Sequence, residues 1–489
     1  MSILQEPAQA LASGDDAAAI ADLKAAFEVQ RRAFAADRRP SLDVRRERVG
    51  RIAPMMLANR ERISAALAQD FGSHPTGAAD LIETLAVVGR VQYVLENLEA
   101  WTAPQDRPMD AGLFGTAHAY IEMQPKGVVG NMIPWNFPFD IGVGPMVEML
   151  AAGNRVILKP SEYVPGCAAL LREMVAEHFS PDLVYVAVGG LDLARAFTEL
   201  PFDHLLYTGS PGVGRQVMAA AARNLTPVTL ELGGKCPAIV LPGAIDAETV
   251  KTIVGTKIVK NGQMCVSVDY ALVPRGDMDR FADLAQAFMA EAAPDYAAGP
   301  DCTGIITARH LDRQEELLQE VRDHQSRIVT LGPDAPADRA TRRMPMRLVL
   351  DPDPELRIMK EEIFGPILPV VPYDDLQGAL DLINGGERPL GLYVFGHDQA
   401  TVEHVLASTT SGGVSVNACA LQGALPSLGF GGVGMSGMGR HHGIEGFREF
   451  SNPRGVVVRG EGDQVDAFFA PYAKAEAIVQ HVLTGGAAG

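Results

Sequence analysis

From residue 127 onward the chain alternates short apolar runs with segments of helical periodicity. The runs are rich in valine, isoleucine and leucine and are too short for helices: 128–133, 155–158, 183–188, 204–207 and 228–230. Short, nearly continuous apolar runs are typical of strands buried on both faces of a parallel sheet. Because helical segments separate the runs, the pattern predicts an α/β fold in which ligands bind beyond the carboxyl ends of the strands.

A second series of the same kind begins after Gly234. Its clearest predicted elements are, in order, strand 237–241, helix 246–260, strand 269–273, helix 277–291 and helix 308–323. Further strands and helices are predicted to about residue 416. The 489 residues of the chain exceed the size at which single cores stop growing, so two or three domains are expected.

Helical periodicity dominates the residues before the first α/β series. Three helices are predicted there: 17–37, 42–69 and 79–101. Pro40 and Ser41 provide a break and an N-cap between the first two. These helices carry no recognisable chemistry, so we interpret them as packing elements.

Two stretches outside the α/β series have β character. Residues 112–126 alternate in polarity and predict a hairpin arm, and residues 455–459 predict a strand near the C-terminus. An amphipathic helix is expected at 465–483, followed by a disordered Gly-Gly-Ala-Ala-Gly end. The sequence has no repeat with a period of 20 to 50 residues.

Composition narrows the functional classes. A net charge of -18 argues against a nucleic-acid surface, which needs clustered lysine and arginine. Five cysteines without a C-x-x-C pair fit a reducing compartment and give no zinc spacing. The N-terminus lacks a signal-peptide pattern, and polar residues interrupt the longest apolar stretch, so neither export nor a membrane span is expected. A cytoplasmic protein is the default expectation.

Polar residues and glycines follow three of the five strands predicted in the first α/β series. Pro134 to Pro138 follow the first strand, and Lys159 and Glu162 follow the second. After the fourth, Ser210 is a predicted N-cap with Pro211 at the first helical position, and the N-H groups of such a helix form an anion site suited to a pyrophosphate. The alternatives are an ordinary turn at this helix and a solvated charge pair at Lys159 and Glu162.

A thiol and a carboxylate lie in glycine-rich segments of the second half. Glu231 begins the sequence E-L-G-G-K-C-P, and Cys265 ends N-G-Q-M-C after a predicted helix. A nucleophilic thiol must ionise, so Cys265 requires an environment that favours the thiolate, and its position after a helix fits such an environment. The alternative is that Cys265 is a small buried apolar residue.

Three further segments have weaker signals. Residues 361–366 lie between apolar runs and fit a strand-entry turn, whereas residues 428–440 contain six glycines and predict a loop that lines a site. His441 and His442, with Glu445 on the same predicted helical face, suggest a metal, but no further ligand spacing supports one. We therefore predict no metal site.

Six motifs in a fixed order resemble the aldehyde dehydrogenase superfamily. They are P-W-N-F-P, K-P-S-E, T-G-S-x-x-x-G, E-L-G-G-K, G-Q-x-C and E-E-I-F-G-P, and the resemblance as a whole runs over roughly residues 120–455. The segments 429–443 and 265–270 look most like the class 3 branch, particularly its coniferyl-aldehyde dehydrogenase group. Asp269 stands where many other branches have arginine, which also favours class 3.

The resemblance implies the aldehyde dehydrogenase fold and its division into domains. Residues 1–111 and 127–232 would form a Rossmann-like NAD-binding domain, and 233–436 a catalytic domain; 112–126 and 437–489 would form a bridging and oligomerisation arm. It also implies oxidation of an aldehyde to the acid through a cysteine thiohemiacetal and thioester.

The same resemblance implies residue roles. Cys265 would be the nucleophile, Glu231 the general base and Asn136 the oxyanion donor. The remaining implied residues bind the cofactor or line the substrate pocket: Ile133, Pro134, Trp135, Lys159, Glu162, Gly209, Ser210, Gly214, Glu362 and Phe364 for NAD, and Phe137, Ile141 and Phe430 for an apolar or aromatic aldehyde.

Several functional points stay open on the sequence alone. Glu162 favours NAD over NADP, although related enzymes accept both. Transfer of the acyl group to coenzyme A instead of water, and a catalytically silent binding or structural homologue, are the two alternatives to aldehyde oxidation by hydrolytic deacylation. A homodimer with a small-molecule substrate is expected.

Overall fold

The computed structural model describes residues 16–484, so the predicted disordered end lies outside the described residues. The helices are α1 (Ala17–Ala36), α2 (Leu42–Gly50), α3 (Ile52–Ala58), α4 (Arg60–Phe71), α5 (Thr76–Ala78), α6 (Ala86–Thr102), α7 (Ala111–Phe114), α8 (Asp140–Ala151), α9 (Pro165–His178), α10 (Leu191–Glu199), α11 (Pro211–Ala221), α12 (Ala247–Ile258), α13 (Met278–Ala292), α14 (Ala308–Asp323), α15 (Arg357–Lys360), α16 (Leu376–Gly385), α17 (Gln399–Ser408), α18 (Leu421–Ala424), α19 (Gly443–Glu449) and α20 (Ala473–Leu483). A π-helical segment, Ala79–Leu85, precedes α6.

The strands within residues 16–484 form three sheets. They are β1 (Gln105–Arg107), β2 (His118–Pro125), β3 (Val128–Met132), β4 (Arg155–Lys159), β5 (Val184–Val186), β6 (His204–Gly209), β7 (Val228–Leu232), β8 (Pro237–Val240), β9 (Tyr270–Pro274), β10 (Arg327–Leu331), β11 (Met346–Leu350), β12 (Ile367–Tyr373), β13 (Gly391–Phe395), β14 (Gly413–Val416), β15 (Gly437–Met438) and β16 (Ser451–Val458).

The first sheet contains the five predicted strands of the first series. Its order is β15-β7-β6-β3-β4-β5, and all pairs are parallel except β15 with β7. Every residue of β3 and β4 is buried, as expected for a sheet covered by helices on both faces. The predicted α/β class is confirmed, and the predicted strand ends differ from the observed ones by two residues at most.

The second sheet has seven strands in the order β10-β11-β12-β9-β8-β13-β14. Only the edge pair β10 and β11 is antiparallel. The helices α12 and α13 pack on each other, and their apolar residues join those of β8 and β9 in one core cluster. This sheet confirms the second predicted α/β series.

The third sheet is antiparallel, in the order β1-β2-β16, and joins the predicted arm segment 112–126 to the predicted strand near the C-terminus. The prediction of a hairpin within residues 112–126 is wrong. Residues Ala111–Phe114 form a short helix, because the Asp110 side chain accepts the N-H groups of Gly112 and Leu113. Strand β2 therefore begins only at His118 and pairs with β1 and β16 rather than with a neighbour inside the predicted range.

Prolines divide two helices that periodicity predicts as continuous. The predicted helix 42–69 is three helices, and α2 ends at Gly50, four residues before Pro54. A proline ring clashes with the carbonyl four residues earlier and cannot donate to it. Pro471 has the same effect near the C-terminus, where α20 begins at Ala473 instead of 465.

The strand order places the first site residues together. Strand β3 lies between β4 and β6, and the chain crosses from β3 to β4 on one side before β6 returns on the other. The carboxyl ends of β3 and β6 thus flank the point at which the winding reverses, where ligands bind in open α/β sheets. Among residues 16–484, no helix is both long and apolar enough to cross a membrane.

Candidate active site

The segment before Cys265 has an unusual backbone. Helix α12 ends at Ile258, and Lys260 and Asn261 then adopt left-handed conformations with φ of 47° and 54°. Gly262 follows with φ of 78°, and a Cβ there would lie 2.1 Å from the carbonyl oxygen of Gly365. This bend turns the chain into the tight turn that carries Cys265.

Gln263 holds the bend in place. It is fully buried, and its amide donates to the carbonyl oxygens of Lys260 and Gly304 at 2.9 and 3.0 Å. Its side-chain oxygen accepts the N-H of Ile306 at 2.9 Å. The side chain therefore ties the Cys265 segment to the loop before α14.

The Cys265 thiol is partly buried and packs against the core cluster that includes Phe430. Burial raises its pKa well above the ordinary value, the Glu231 and Glu362 carboxyls raise the pKa further, and the N-H of Val266 opposes the rise. Contrary to the expectation from the sequence, this environment disfavours the thiolate, because desolvation outweighs the single backbone donor.

Glu231 lies on β7, opposite Gly437 of β15. It is 1% exposed, and neither carboxyl oxygen has a hydrogen-bond partner among the described residues. Burial raises the pKa of Glu231 well above its ordinary value, which Arg440 opposes and Glu362 reinforces. A Cβ on Gly437 would lie 2.2 Å from the carbonyl oxygen of Leu230, so the glycine-rich loop can approach β7 only with glycine here.

Asn136 follows β3 and is 5% exposed. Its side-chain amide donates to the backbone oxygen of Gln263 at 3.2 Å, two residues before Cys265. The carbonyl oxygen of Asn136 accepts a hydrogen bond from Lys260. The Asn136 amide thus reaches the segment that carries Cys265, and Glu231 on β7 lies near enough to Cys265 to raise the pKa of its thiol.

The remaining strand ends of the first sheet form a cradle suited to a dinucleotide. Lys159 is 3% exposed, and its ammonium bonds Glu162 at 2.9 Å at the end of β4. Ser210 caps α11, so the N-terminus of that helix faces the carboxyl edge at the end of β6.

Two glycines allow this close approach. A Cβ on Gly209 would lie 2.2 Å from the Tyr207 hydroxyl, and one on Gly214 would lie 2.8 Å from a Leu232 methyl. The hydroxyl of Thr208, at the end of β6, is buried without a hydrogen-bond partner in the part of the chain that is described. Close-packed glycines, a helix N-terminus and an unsatisfied hydroxyl together fit a dinucleotide phosphate site.

Glu362 and Phe364 approach this edge from the second sheet. The Glu362 carboxyl lies against Gly233, where a Cβ would meet it at 2.1 Å. Burial, followed by the Asp269 carboxylate, raises the pKa of Glu362 to about 8. Asp269 holds the segment by accepting the N-H of Ile363 at 3.0 Å and by an ion pair with Lys235.

Aromatic contacts join the two sheets at the same place. The Trp135 ring packs edge-on against Phe364 with centroids 5.3 Å apart. Ile133 is buried in the core, and its N-H bonds the carbonyl oxygen of Lys159 at 2.9 Å. Pro134, which stands between Ile133 and Trp135 in the chain, is half-buried.

The three predicted substrate-pocket residues are buried but lie on different elements. Phe137 is 5% exposed and lies under the Lys260 ammonium, 4.3 Å from the ring centroid. Ile141 is on α8, and Phe430 lies in the glycine-rich loop with His441 and His442 against its ring. Phe430 shares its core cluster with Cys265.

His441 and His442 are packed in the protein interior. Burial, together with Arg90, lowers the pKa of His441 to about 3 and the pKa of His442 well below its ordinary value, and Arg90 bonds His442. Within residues 16–484, no group of three or more histidine, cysteine, aspartate or glutamate side chains could hold a metal ion.

Sequence reasoning missed three residues that organise this site: Gln263, Lys260 and Glu83. Gln263 was visible only as part of a motif, without a role. Lys260 and Glu83 gave no signal, because a charged residue within a helical pattern normally indicates a solvated face, yet both side chains are fully buried.

Comparison with known proteins identifies the family of the chain. The family model described as the aldehyde dehydrogenase family matches residues 7–456. A probable coniferyl aldehyde dehydrogenase of Caulobacter vibrioides is 40% identical over 432 residues, which cover 87% of this chain and 89% of that protein. Aldehyde dehydrogenase family 3 member F1 of Arabidopsis thaliana is 35% identical, with 90% and 91% covered.

Solved structures are similar over the same extent. Staphylococcus aureus AldH in its substrate-bound state superposes with a TM-score of 0.88 at 30% identity, covering 94% of this chain and 99% of that one. Mycobacterium tuberculosis aldehyde dehydrogenase complexed with NAD+ gives a TM-score of 0.79 at 28% identity, with 90% of each chain covered.

The chain therefore belongs to the aldehyde dehydrogenase family. It is an oxidoreductase that converts a small-molecule aldehyde to the carboxylic acid with a nicotinamide cofactor. The resemblance that the sequence motifs suggested is confirmed, including its similarity to the coniferyl aldehyde dehydrogenase group and to family 3 members.

Proposed function

We propose that the protein oxidises an aromatic or apolar aldehyde of the coniferyl aldehyde type, with Cys265 as nucleophile, Asn136 as oxyanion donor and Glu231 as general base. The observation that carries these roles is that the Asn136 amide bonds the backbone two residues before Cys265, while the Glu231 carboxyl lies near enough to raise the pKa of the Cys265 thiol. Buried Phe137, Ile141 and Phe430 support an apolar substrate, as does the 40% identical relative named as a probable coniferyl aldehyde dehydrogenase.

In the first step the Cys265 thiol gives its proton to solvent, to which the residue is partly exposed, and the sulfur adds to the aldehyde carbon while the carbonyl π electrons move to the oxygen. The asparagine amide has two N-H donors, of which one is used by Gln263. The second N-H stabilises the new oxyanion, together with a backbone N-H near Cys265. A donor aimed at developing charge is worth about 10²–10³ in rate.

A bound nicotinamide would supply the hydride acceptor that oxidation of this adduct to a thioester requires. Lys159 and Glu162 would hold the adenosine ribose, Gly209, Ser210 and Gly214 would lie at the pyrophosphate, and Glu362 and Phe364 would position the nicotinamide ribose. Ile133, Pro134 and Trp135 complete the wall after β3.

Hydrolysis of the thioester requires a base that removes a proton from water. Glu231 suits this task because its raised pKa makes it a stronger base than an exposed carboxylate once it is ionised. Attack of the resulting hydroxide on the thioester carbon releases the carboxylic acid and returns Cys265.

NAD is the proposed cofactor in preference to NADP. The Glu162 carboxylate can accept a hydrogen bond from a ribose 2′-hydroxyl and repels a 2′-phosphate. The Lys159 ammonium lies 2.9 Å from the Glu162 carboxylate and neutralises part of its charge, so the preference for NAD over NADP is partial.

We infer a homodimer, with residues 1–111 and 127–232 as the cofactor domain, 233–436 as the catalytic domain, and 112–126 with 437–489 as the arm. Strand β16 is an edge strand that exposes Val457 and Val458, and such edges are normally covered by a partner. A cytoplasmic location is supported by five free cysteines.

A kinetic experiment tests the proposal. The purified enzyme is mixed with NAD and a panel of aliphatic, benzylic and cinnamyl-type aldehydes, without coenzyme A, and NADH and acid are measured. Sustained turnover with the highest kcat/KM for aromatic aldehydes supports the proposal. Turnover that stops after a single equivalent would indicate acyl transfer to coenzyme A, and NAD binding without any NADH would indicate a silent homologue.

A further inference from the structure

Glu83 lies in the π-helical segment Ala79–Leu85 and is completely buried. One oxygen of its carboxylate accepts the backbone N-H groups of Phe139 and Asp140 at 3.0 and 2.9 Å. These two residues begin α8, directly after the segment that contains Asn136. The π-helical turn is itself a departure from regular helix, and such turns occur frequently at functional sites.

The other carboxylate oxygen of Glu83 bonds the Lys260 ammonium at 2.5 Å, and both side chains are inaccessible to solvent. The same ammonium donates to the carbonyl oxygen of Asn136 and lies over the Phe137 ring. Lys260 reaches this position from a left-handed backbone conformation, which a residue with a long side chain seldom adopts.

Together the two side chains hold the segment 136–140 at both ends. Lys260 fixes its first carbonyl, and Glu83 fixes the N-H groups three and four residues later. Because the Asn136 amide extends from this segment toward Gln263, the orientation of that amide depends on where the backbone of Asn136 is held.

A buried ion pair is a poor source of stability, since desolvation of the two charges offsets most of their attraction. Its persistence at this place is explained more directly by the geometry that it imposes. We propose that Glu83 and Lys260 form a positioning pair that aims the Asn136 amide at the substrate oxygen, an inference that rests on the oxyanion role proposed above for Asn136.

The test compares variants by the rate of the first turnover, measured as NADH formation in a stopped-flow instrument and normalised to titratable Cys265. Lys260→Met removes the charge and the hydrogen bond to Asn136. Glu83→Gln/Lys260→Met removes both charges, so no carboxylate is left unpaired and folding is protected. Arg155→Met is the matched control, because Arg155 is also buried and ion-paired but lies at the amino end of β4, whereas Asn136 follows the carboxyl end of β3.

We expect the first-turnover rate to fall by about 10-fold to 10²-fold in both Lys260 variants, since displacement of a reacting group by about 1 Å has an effect of that size. The dissociation constant for NAD should remain unchanged. Arg155→Met should lower the melting temperature without changing the normalised rate.

A coupling measurement separates positioning from general stabilisation. If Lys260 acts through Asn136, Lys260→Met in an Asn136→Ala background should change the rate by no more than about twofold, although independent effects would multiply. Multiplied losses, or a normalised rate in the double variant equal to that of the wild type, would overturn the positioning role. A wild-type enzyme that oxidises no aldehyde would instead refute the proposed function.

Discussion

Glu231→Gln separates the two halves of the proposed reaction. The substitution preserves the size of a side chain that is 1% exposed, and it removes only the ability to take a proton. A positioned general base contributes about 10²–10⁴ in rate, which corresponds to about 3–5 kcal/mol of activation free energy. Steady-state turnover should fall by that factor, because thioester hydrolysis loses its base.

Formation of the thioester should survive the same change. The Glu231 carboxyl raises the pKa of Cys265, second only to burial, so a neutral amide in its place makes the thiol easier to ionise. Stopped-flow measurement of NADH should show a burst of about one equivalent per Cys265, followed by a slow phase. Alkylation of Cys265 by iodoacetamide at fixed pH should be as fast as in the wild type or faster.

The matched control for this experiment is Glu148→Gln. Glu148 is fully buried on α8, where burial raises its pKa to about 8, and it lies outside the proposed chemistry. The control should keep both kinetic phases. If Glu231→Gln lost the burst and the steady state by equal factors, Glu231 would be acting on the thiol rather than on water, and the assignment would have to be abandoned.

Three further changes have defined outcomes. Asn136→Ala should slow the first turnover by about 10²–10³, and a stopped-flow change below about tenfold would remove Asn136 from the oxyanion site. Glu162→Gln should raise the ratio of kcat/KM for NADP to that for NAD by about tenfold, equivalent to about 1.4 kcal/mol, and an unchanged ratio would place the ribose elsewhere. As the pH rises from about 4.5 to about 8, buried Glu148 should lower the free energy of unfolding, because the unfolded carboxyl ionises in this range while the folded one remains protonated. Urea unfolding at several pH values should show this fall in the wild type and a smaller one in Glu148→Gln.

Much of the fold was predictable because buried parallel strands leave a strong local signal. β3 and β4 are buried at every residue, so their sequences are nearly continuous apolar runs. Lys159 could be placed next to the predicted cofactor site for the same reason, since it ends such a run. Helix boundaries were less predictable where a proline such as Pro54 interrupts a pattern that otherwise continues.

Less of the interior of the candidate site could be predicted from the sequence. Glu83 and Lys260 are separated by 177 positions, and only the folded chain shows that they meet. The raised pKa of Cys265 was equally hidden, because it follows from burial and from two carboxyls that belong to β7 and to the segment before β12. Local patterns report which residues are buried or exposed, whereas these properties depend on which distant residues share one buried volume.

The roles proposed for Cys265 and Glu231 place opposed demands on two groups whose pKa values are both raised by burial. Addition to the aldehyde requires a thiolate, and hydrolysis of the thioester requires a carboxylate, but the pKa of each group is raised, first by burial and then by neighbouring carboxyls. Two anions close together in a medium of low polarity are costly, so the site favours one negative charge at a time. Once the sulfur is bound in a thioester it can no longer ionise, so Glu231 can then ionise without a thiolate beside it. In the proposed reaction the carboxylate is therefore needed only after the thiolate has been consumed.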